Sequence, residues 1–153
     1  MEGQNLPVMT MTRRAAFSAA HRYHNPAWDA ARNDAAFGDC TRVHGHNYVL
    51  EASVTGPVDP RTGMLMSIAD LKNILAEEVG GVFDHRQLEV EVPELRGRIP
   101  TSENVVHSLW GRIAPRVAGT GEGCYRLSRL RLFETESFFV EIGDEDSPGG
   151  RNG

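Results

Sequence analysis

Hydrophobic and polar residues alternate along two stretches of the chain, and each alternation predicts a β-strand. The first stretch runs from Val8 to Ala20, and its apolar face comprises Met9, Met11, Ala15, Phe17 and Ala19, with Arg13 as the exception. His21 continues that face at the strand end. The second stretch runs from His44 to Thr55, and its inward face comprises His46, Tyr48, Leu50, Ala52 and Val54. Because strand side chains alternate between faces, His21, His44 and His46 are predicted to point inward.

Apolar residues spaced three and four positions apart predict two helices in the middle of the chain. The first begins after the candidate N-cap Ser67 and presents Ile68, Leu71, Ile74, Leu75 and Val79. The second begins at Pro100-Thr101-Ser102-Glu103, again with a capping hydroxyl and with a carboxylate near the positive end of the helix. It presents Val106, Leu109, Trp110, Ile113 and Val117. Residues 27–36, inside the long connection from Arg22 to Asp39, are compatible with a shorter helix.

Two further strands, Tyr125 to Phe133 and Phe138 to Ile142, follow the second helix. The order ββααββ predicts an α+β fold, with a four-stranded antiparallel sheet and two helices on one face. Residues 1–153 are expected to form a single domain, with 1–7 and the polar, glycine-rich 143–153 disordered. The uncovered edges and second face of such a sheet predict a homo-oligomer.

Composition and charge narrow the class of partner. The chain has 153 residues, of which 40% are hydrophobic, so it can bury a core of its own. Its formal net charge of −5 gives no basic footprint for a nucleic acid. Neither a membrane-spanning apolar run nor a signal-peptide pattern is present, so we expect a cytoplasmic protein without a membrane partner.

The stretch from Cys40 to Tyr48 carries the candidate chemistry, because it places a thiol four residues before the first of two histidines. His44 and His46 share a strand face, and zinc is the usual metal for such ligands. With His21 as third ligand, one coordination position would stay open for substrate. Cys40 is either a fourth ligand or a reactive group beside the metal. A histidine pair alone is weak evidence, since exposed strands often carry solvated histidines.

Asp84 and His85 lie in the linker between the two helices. The carboxylate can orient the imidazole for acid–base chemistry, or the two residues can be a turn cap and a surface side chain. Because the two are adjacent in sequence, their contact requires a loop conformation.

Glu134 is predicted to face the core, because it continues the register of Ser128, Leu130 and Leu132. A buried carboxylate needs a donor, which a heterocycle edge with two N–H groups would supply. The structural alternative is an arginine such as Arg129 or Arg131, and both lie on the opposite face of the strand.

Together these residues resemble the tetrahydropterin synthases, the 6-pyruvoyl and 6-carboxy enzymes, from about Phe17 to Glu134. The resemblance is carried by Phe17-Ser18-Ala19-Ala20-His21, Cys40-x3-His44-Gly45-His46-Asn47-Tyr48, Gly63-Met64-Leu65-Met66 with Asp70-Leu71-Lys72, Phe83-Asp84-His85, Pro100-Thr101-Ser102-Glu103-Asn104 and Glu134-Thr135.

The resemblance implies a tunnelling fold (T-fold), Zn²⁺ bound by His21, His44 and His46, and 7,8-dihydroneopterin triphosphate as substrate. It implies Cys40, Asp84 and His85 as the catalytic group. It also implies Glu134 as the pterin anchor. We expect Thr101 and Glu103 to help Glu134 position the pterin ring. Members of the family form trimers stacked into hexamers, with the site at a subunit interface.

The product depends on the branch of the family. The short interval from Cys40 to His44 resembles bacterial 6-carboxy enzymes, so we expect a zinc-dependent lyase that makes 6-carboxy-5,6,7,8-tetrahydropterin, a queuosine precursor. The stretch Gly63 to Lys72 and Asn104 resemble the alternative, a 6-pyruvoyl-tetrahydropterin synthase of tetrahydrobiopterin biosynthesis. Two other classes stay open: a zinc-stabilised pterin-binding module without turnover, and a metal-free cysteine hydrolase using Cys40 and His85.

Overall fold

The computed structural model describes residues 6–146, which form one sheet covered by helices on one face. The strands are β1 (Val8–His21), β2 (His44–Pro57), β3 (Arg86–Gln87), β4 (Arg126–Thr135) and β5 (Phe138–Gly143). The helices are α1 (Ala30–Phe37), α2 (Ile68–Leu75), α3 (Leu88–Glu91) and α4 (Ser102–Thr120). The predicted α+β class is confirmed, and all four predicted strands are present.

The sheet differs from the prediction in having five strands, in the order β3-β1-β2-β4-β5, one of them parallel. β3 has two residues and pairs in parallel with Ala19 and Ala20 of β1. Two residues carry no periodicity, so sequence patterning could not predict this strand. It forms because His85 adopts a left-handed backbone conformation (φ 58°) and donates its backbone N–H to Ser18 O at 2.7 Å.

The antiparallel ladder between β1 and β2 positions the histidines at one end of the core. Its register pairs Phe17 with Tyr48, Ala19 with His46 and His21 with His44. Phe17 and Tyr48 stack with ring centroids 4.8 Å apart and are buried in the core beneath α2 and α4. The inward face predicted from alternation therefore continues from the apolar core directly into the three imidazoles.

Both predicted N-caps are present. Ser67 Oγ accepts from Asp70 N, and Thr101 Oγ1 accepts from Asn104 N at 3.3 Å. The predicted stripe of α2 is wrong at Ile68, which is 61% exposed, because contact with the core begins one turn later at Leu71.

A β-bulge changes which residues of β4 face the core. Leu127 pairs with Val54 and Arg129 pairs with Ser53, so Ser128 is the extra residue. The prediction that Ser128 shares the inward face of Leu130 is therefore wrong: Leu127 is buried instead. A bulge shifts the alternation by one position, and it cannot be read from local periodicity.

Most of the two termini predicted to be disordered lies outside the described residues. Within residues 6–146, Val58 N donates to Pro7 O at 3.1 Å and Asp146 N donates to Gly143 O at 3.0 Å. In this same part of the chain, no helix is both long and apolar enough to cross a bilayer.

Candidate metal centre

Four potential ligand side chains converge where β1 ends and β2 begins. His21, His44, His46 and Glu134 each offer one ligand atom, and these atoms all lie within 4.8 Å of one another. His21 is fully buried, while the others are half-buried. The structure therefore brings together the three histidines predicted as ligands, and it adds a carboxylate.

Hydrogen bonds to backbone carbonyls define the tautomers of two rings. His21 Nδ1 lies 2.9 Å from Pro100 O, and His44 Nδ1 lies 2.7 Å from Arg42 O. A carbonyl oxygen can only accept, so each Nδ1 carries the proton and each neutral ring directs the lone pair of Nε2 inward. The two Nε2 atoms are only 3.0 Å apart. Two lone pairs at that separation repel each other unless a cation lies between them.

The third imidazole lacks a hydrogen bond at its inner nitrogen. His46 Nε2 is buried and has no hydrogen-bond partner in the described part of the chain. Glu134 Oε1 lies 2.9 Å away, a distance suited to an ion contact, but the geometry is not that of a hydrogen bond. Buried polar atoms without a partner are rare, and a metal ion would satisfy this nitrogen together with the two lone pairs. Three imidazoles and a carboxylate are a donor set that suits zinc.

Burial favours the neutral, metal-binding form of the rings. Desolvation is the largest influence on His21 and lowers its pKa below 6.5, although the Pro100 carbonyl opposes the shift. Desolvation also lowers the pKa of His46, and the charge of Glu134 opposes it. Both imidazoles therefore stay unprotonated at neutral pH, as coordination requires.

Glu134 reaches the cluster because it continues the inward face of Leu130 and Leu132, as the alternation predicts. It also lies at a second bulge in β4: Phe133 pairs with Phe139 and Thr135 pairs with Phe138, so Glu134 is the extra residue. Bulges are frequent next to functional sites. Its carboxylate is oriented by Ser102, whose Oγ donates to Oε2 at 2.6 Å.

The alternative arginine partners of Glu134 are engaged elsewhere. Arg131 pairs with Glu141 and Glu51, and Arg129 lies 3.7 Å from Glu141. Both arginines are on the outer side of the strand, as predicted from the alternation. Glu134 therefore keeps its charge for the cluster or for a ligand.

Thr101 and Glu103, at the start of α4, were predicted from sequence to help bind the substrate. In the structure, the three polar residues at this position make different contacts. Thr101 uses its hydroxyl to cap the helix, and Glu103 is exposed in the first turn. The residue between them, Ser102, is buried and bonds Glu134. Its position in the motif was visible, but sequence alone could not show which of three polar neighbours points inward.

Tyr23 is a residue of the site that the sequence analysis missed. Its ring packs edge-on against His21, with centroids 5.0 Å apart. Burial raises the pKa of Tyr23, with further contributions from Glu134, Cys40 and Glu103. The tyrosine therefore stays protonated and lies near the predicted base and the predicted anchor.

Cys40 lies beside Tyr23 rather than among the four ligand side chains. It belongs to a 3₁₀ turn, Gly38–Thr41, and its carbonyl accepts from Tyr23 N at 2.7 Å. This hydrogen bond joins the two ends of the long connection between β1 and β2. The half-buried thiol is thus held at the edge of the cluster.

The buried side chain of Asn33 stabilises the same connection through hydrogen bonds to its backbone. The side chain is 2% exposed, its Oδ1 accepts from Asn25 N at 2.8 Å, and its Nδ2 donates to the carbonyls of Asn25, Trp28 and Asp29. Four bonds from one amide give the connection internal order. This order extends to the turn that carries Cys40.

Asp84 and His85 do not join the cluster within one chain. Asp84 Oδ2 lies 2.9 Å from His85 Nδ1, and Asp84 Oδ1 accepts from Ser18 N at 2.9 Å. These contacts lower the pKa of Asp84, the Ser18 bond most. The His85 side chain is 81% exposed and borders an open depression with Ser18 and Asn47, which lie out of register with the inward histidines. The pair therefore meets in a loop conformation outside the cluster of His21, His44, His46 and Glu134, although His46 also lines the depression that His85 borders.

An α+β sheet with three inward histidines and a carboxylate at its end defines a T-fold protein with a metal-capable site. A family model described as 6-pyruvoyl tetrahydropterin synthase matches residues 10–145. The solved 6-pyruvoyl tetrahydropterin synthase of Caenorhabditis elegans superposes with a TM-score of 0.79 at 31% identity, covering 90% of this chain and 96% of that one. The chain belongs to the 6-pyruvoyl tetrahydropterin synthase family.

Sequence relatives bear on the branch within the family. A 6-pyruvoyl tetrahydrobiopterin synthase of Dictyostelium discoideum is 39% identical over 133 residues, 87% of this chain and 94% of the relative. A putative 6-carboxy-5,6,7,8-tetrahydropterin synthase of Archaeoglobus fulgidus is 33% identical over 116 residues, 76% of this chain and 89% of the relative. These similarities favour the 6-pyruvoyl branch over the 6-carboxy branch expected from the Cys40-to-His44 interval. That interval is one loop length, whereas the identity extends along most of the chain.

Proposed function

We propose that the protein is a metal-dependent 6-pyruvoyl tetrahydropterin synthase, a lyase of tetrahydrobiopterin biosynthesis. Its substrate would be 7,8-dihydroneopterin triphosphate, which loses triphosphate, and its metal would be Zn²⁺. The observation that supports this most is the convergence of three imidazoles, with a buried His46 Nε2 that lacks a hydrogen bond. Family membership adds the substrate class.

His21, His44 and His46 would hold the zinc, which acts as a Lewis acid toward a side-chain oxygen of the substrate. Cys40, at the edge of the cluster, would remove a proton from the neighbouring carbon. Glu134 would accept the N–H groups of the pterin and so orient the ring, as the bond from Ser102 already orients its carboxylate.

The catalytic group is completed by a neighbouring copy in this proposal. Asp84 and His85 are not part of the four-residue cluster, and the His85 side chain is largely exposed. An exposed imidazole oriented by a carboxylate is available to an adjacent subunit. Thr101 and Glu103, at the rim of the site, would contribute to substrate binding from the same chain as Glu134.

The open edges of the sheet support an oligomer, as a trimer or hexamer. Within residues 6–146, β3 pairs only with Ala19 and Ala20 of β1, so most of the length of β1 has no strand at that edge. At the other end of the sheet, β5 is also an edge strand, and Phe138 and Phe139 are exposed. Uncovered strands carry unused backbone donors and acceptors that a second copy can pair.

We expect the purified protein to be oligomeric at micromolar concentration. Light scattering coupled to size-exclusion chromatography would measure its mass directly. A stable monomer of 16.9 kDa would remove the interfacial site from the proposal.

Incubation with 7,8-dihydroneopterin triphosphate, followed by mass analysis of the pterin product, tests the function. 6-Pyruvoyl tetrahydropterin with released triphosphate is the expected result. 6-Carboxytetrahydropterin would assign the other branch, which the short Cys40-to-His44 interval and the Archaeoglobus relative favour. Binding without any product would support the zinc-stabilised module. The metal-free cysteine hydrolase is disfavoured because three histidines converge within the described residues and His46 Nε2 is buried without a hydrogen bond, as a metal site requires.

Glu134→Gln is expected to keep the fold and to weaken substrate binding by about 2–3 kcal/mol, since a neutral amide cannot accept two charge-assisted bonds. Calorimetric titration with a non-reactive pterin, alongside metal analysis, measures both properties. Ser102→Ala serves as a companion, because it releases the carboxylate without removing its charge. Unchanged affinity in Glu134→Gln would leave Glu134 with a structural role, and loss of zinc would make it a ligand.

A further inference from the structure

A cavity of about 570 Å³ lies next to the metal centre, within the usual size range of small-molecule sites. One wall is the chain that leaves β1, from Arg22 to Pro26, and the other is the turn Gly97–Ile99. Gln87, Glu89, Val90 and Asn104 complete it. We call it the Arg22–Arg98 cavity.

Both walls of the Arg22–Arg98 cavity run directly into the metal centre. Arg22 follows the ligand His21, and Ile99 precedes Pro100, whose carbonyl accepts from His21 Nδ1 at 2.9 Å. Consecutive Cα atoms are about 3.8 Å apart, so each wall begins one residue away from this contact. A substrate group that extends past the metal would enter the cavity.

The cavity lies across the start of α4 from Glu134. Ser102, which bonds Glu134, and Asn104, which lines the cavity, are two residues apart in the helix. Two residues correspond to a rotation of roughly 200°, so the two side chains leave the helix on opposite sides. Glu134 and the cavity therefore border opposite sides of the first turn of α4.

The positive charge in the cavity lacks protein partners. Neither Arg22 nor Arg98 forms an ion pair with a carboxylate among residues 6–146, and Arg22 Nε is buried without a hydrogen bond. By contrast, Arg61, Arg126 and Arg131 are each paired.

One carboxylate opposes this positive charge. Glu89 Oε1 accepts from Arg22 N and from Gln87 Nε2, whereas its Oε2 is buried without a partner. Two arginines against one carboxylate leave the lining positive, and His24 adds a further donor. The cavity therefore suits an anion with several oxygens, which arginine binds through paired N–H groups.

We propose that the Arg22–Arg98 cavity binds the triphosphate of the substrate. This inference rests on the proposed function for the identity of the ligand, while the cavity and its charge are independent of it. Arg98, which is exposed, would make the outer contact, and Arg22 would use the nitrogen that now lacks a partner.

Inorganic tripolyphosphate is the probe, titrated by calorimetry into the metal-loaded protein at two salt concentrations. Arg98→Gln is expected to weaken its binding about tenfold or more, the scale of one charge-assisted hydrogen bond. Arg96→Gln is the matched control, because Arg96 is an exposed arginine two residues away that does not line the cavity. The control should stay within about twofold of the parent, and any chelation of the metal by the probe would affect both variants alike.

The variant Glu89→Gln tests the sign of the electrostatic effect. It removes the opposing charge while keeping an oxygen that can accept from Arg22 N, so tripolyphosphate should bind more tightly than to the parent. Equal binding to Arg98→Gln and Arg96→Gln, or weaker binding to Glu89→Gln, would overturn the proposal.

Unphosphorylated 7,8-dihydroneopterin separates this inference from the proposed function. Its affinity should be the same for the parent, Arg98→Gln and Arg96→Gln, and a selective loss in Arg98→Gln would contradict a phosphate site. If the parent turns over the triphosphate substrate and Arg98→Gln has an unchanged KM, the cavity inference fails and the function stands. If the parent shows no turnover but tripolyphosphate binding still requires Arg98, the anion site stands and the function fails.

Discussion

Cys40→Ala is expected to lower turnover of 7,8-dihydroneopterin triphosphate by about 10²–10⁴-fold, the usual cost of removing a general base. The loss should fall on kcat and leave KM nearly unchanged, because a base acts in the transition state rather than in substrate binding. The thiol lies outside the four-residue ligand cluster, so metal content should stay at the parent level. Steady-state kinetics and metal analysis on the same preparation measure these effects.

Cys124→Ala is the matched control for this substitution. It removes the other free cysteine, which is exposed and lies at the far end of the sheet, before β4. Its kinetics should match those of the parent. Parental turnover in Cys40→Ala would exclude the thiol as the base, and loss of zinc in that variant would make Cys40 a ligand.

Mixed oligomers of Cys40→Ala and His85→Ala extend the same experiment to the subunit interface. If His85 of one copy serves Cys40 of its neighbour, some sites in a refolded mixture receive both intact residues, and activity returns above that of either variant alone. If both residues belong to one chain's site, every site in the mixture carries a defect, and no activity returns.

His21→Ala is expected to lose the metal and, with it, nearly all activity. His21 is the fully buried member of the cluster, and its Nε2 lies 3.0 Å from that of His44 and 3.8 Å from Glu134 Oε1. Removing it leaves two histidines on one strand, which are half of a tetrahedral site. The ring also packs in the core, so the variant should lose stability as a consequence of the cavity as well as of the lost metal.

His24→Ala is the control, since His24 is close in sequence, exposed and outside the cluster. Elemental analysis after dialysis against trace zinc should give about one equivalent for the parent and for His24→Ala, and far less for His21→Ala. The conservative variant His21→Gln is expected to keep the fold, so it separates the loss of a zinc ligand from unfolding of the protein. Circular dichroism measures whether each variant is folded. Full zinc retention in folded His21→Gln would show that the ligand set is different.

The sequence by itself determined the parts of this protein that depend on local periodicity and local hydrogen bonding. Alternation predicted β1, with Arg13 as an exception, and β2, and it predicted the common face of their histidines, because a strand's side-chain period of two needs no knowledge of the rest of the fold. The caps Ser67 and Thr101 were predictable for a similar reason, since each satisfies backbone donors within its own first turn. The metal-capable histidine cluster could therefore be assembled from two short stretches of sequence.

Only the tertiary structure decided the features that depend on register between distant segments. The bulges at Ser128 and Glu134 are defined by the pairing of β4 with its neighbours, and the first of them reverses the predicted face of Ser128, whereas Glu134 keeps its predicted inward direction. A bulge inserts one extra residue and so shifts the alternation of inward and outward side chains by one position. It has no recognisable pattern within a single strand, so its position could not be predicted from the local sequence.

The same limit applies to the relation between Cys40 and the Asp84–His85 pair. The family resemblance implied one catalytic group, but His85 lies at the edge of β1, where its backbone bonds Ser18 and its side chain borders a depression with Ser18 and Asn47. Which face a linker residue reaches depends on how the linker docks against the sheet, and that is a long-range property. Composition and local pattern therefore predicted the chemical groups of the site, whereas strand register and loop docking decided which of them meet within one chain.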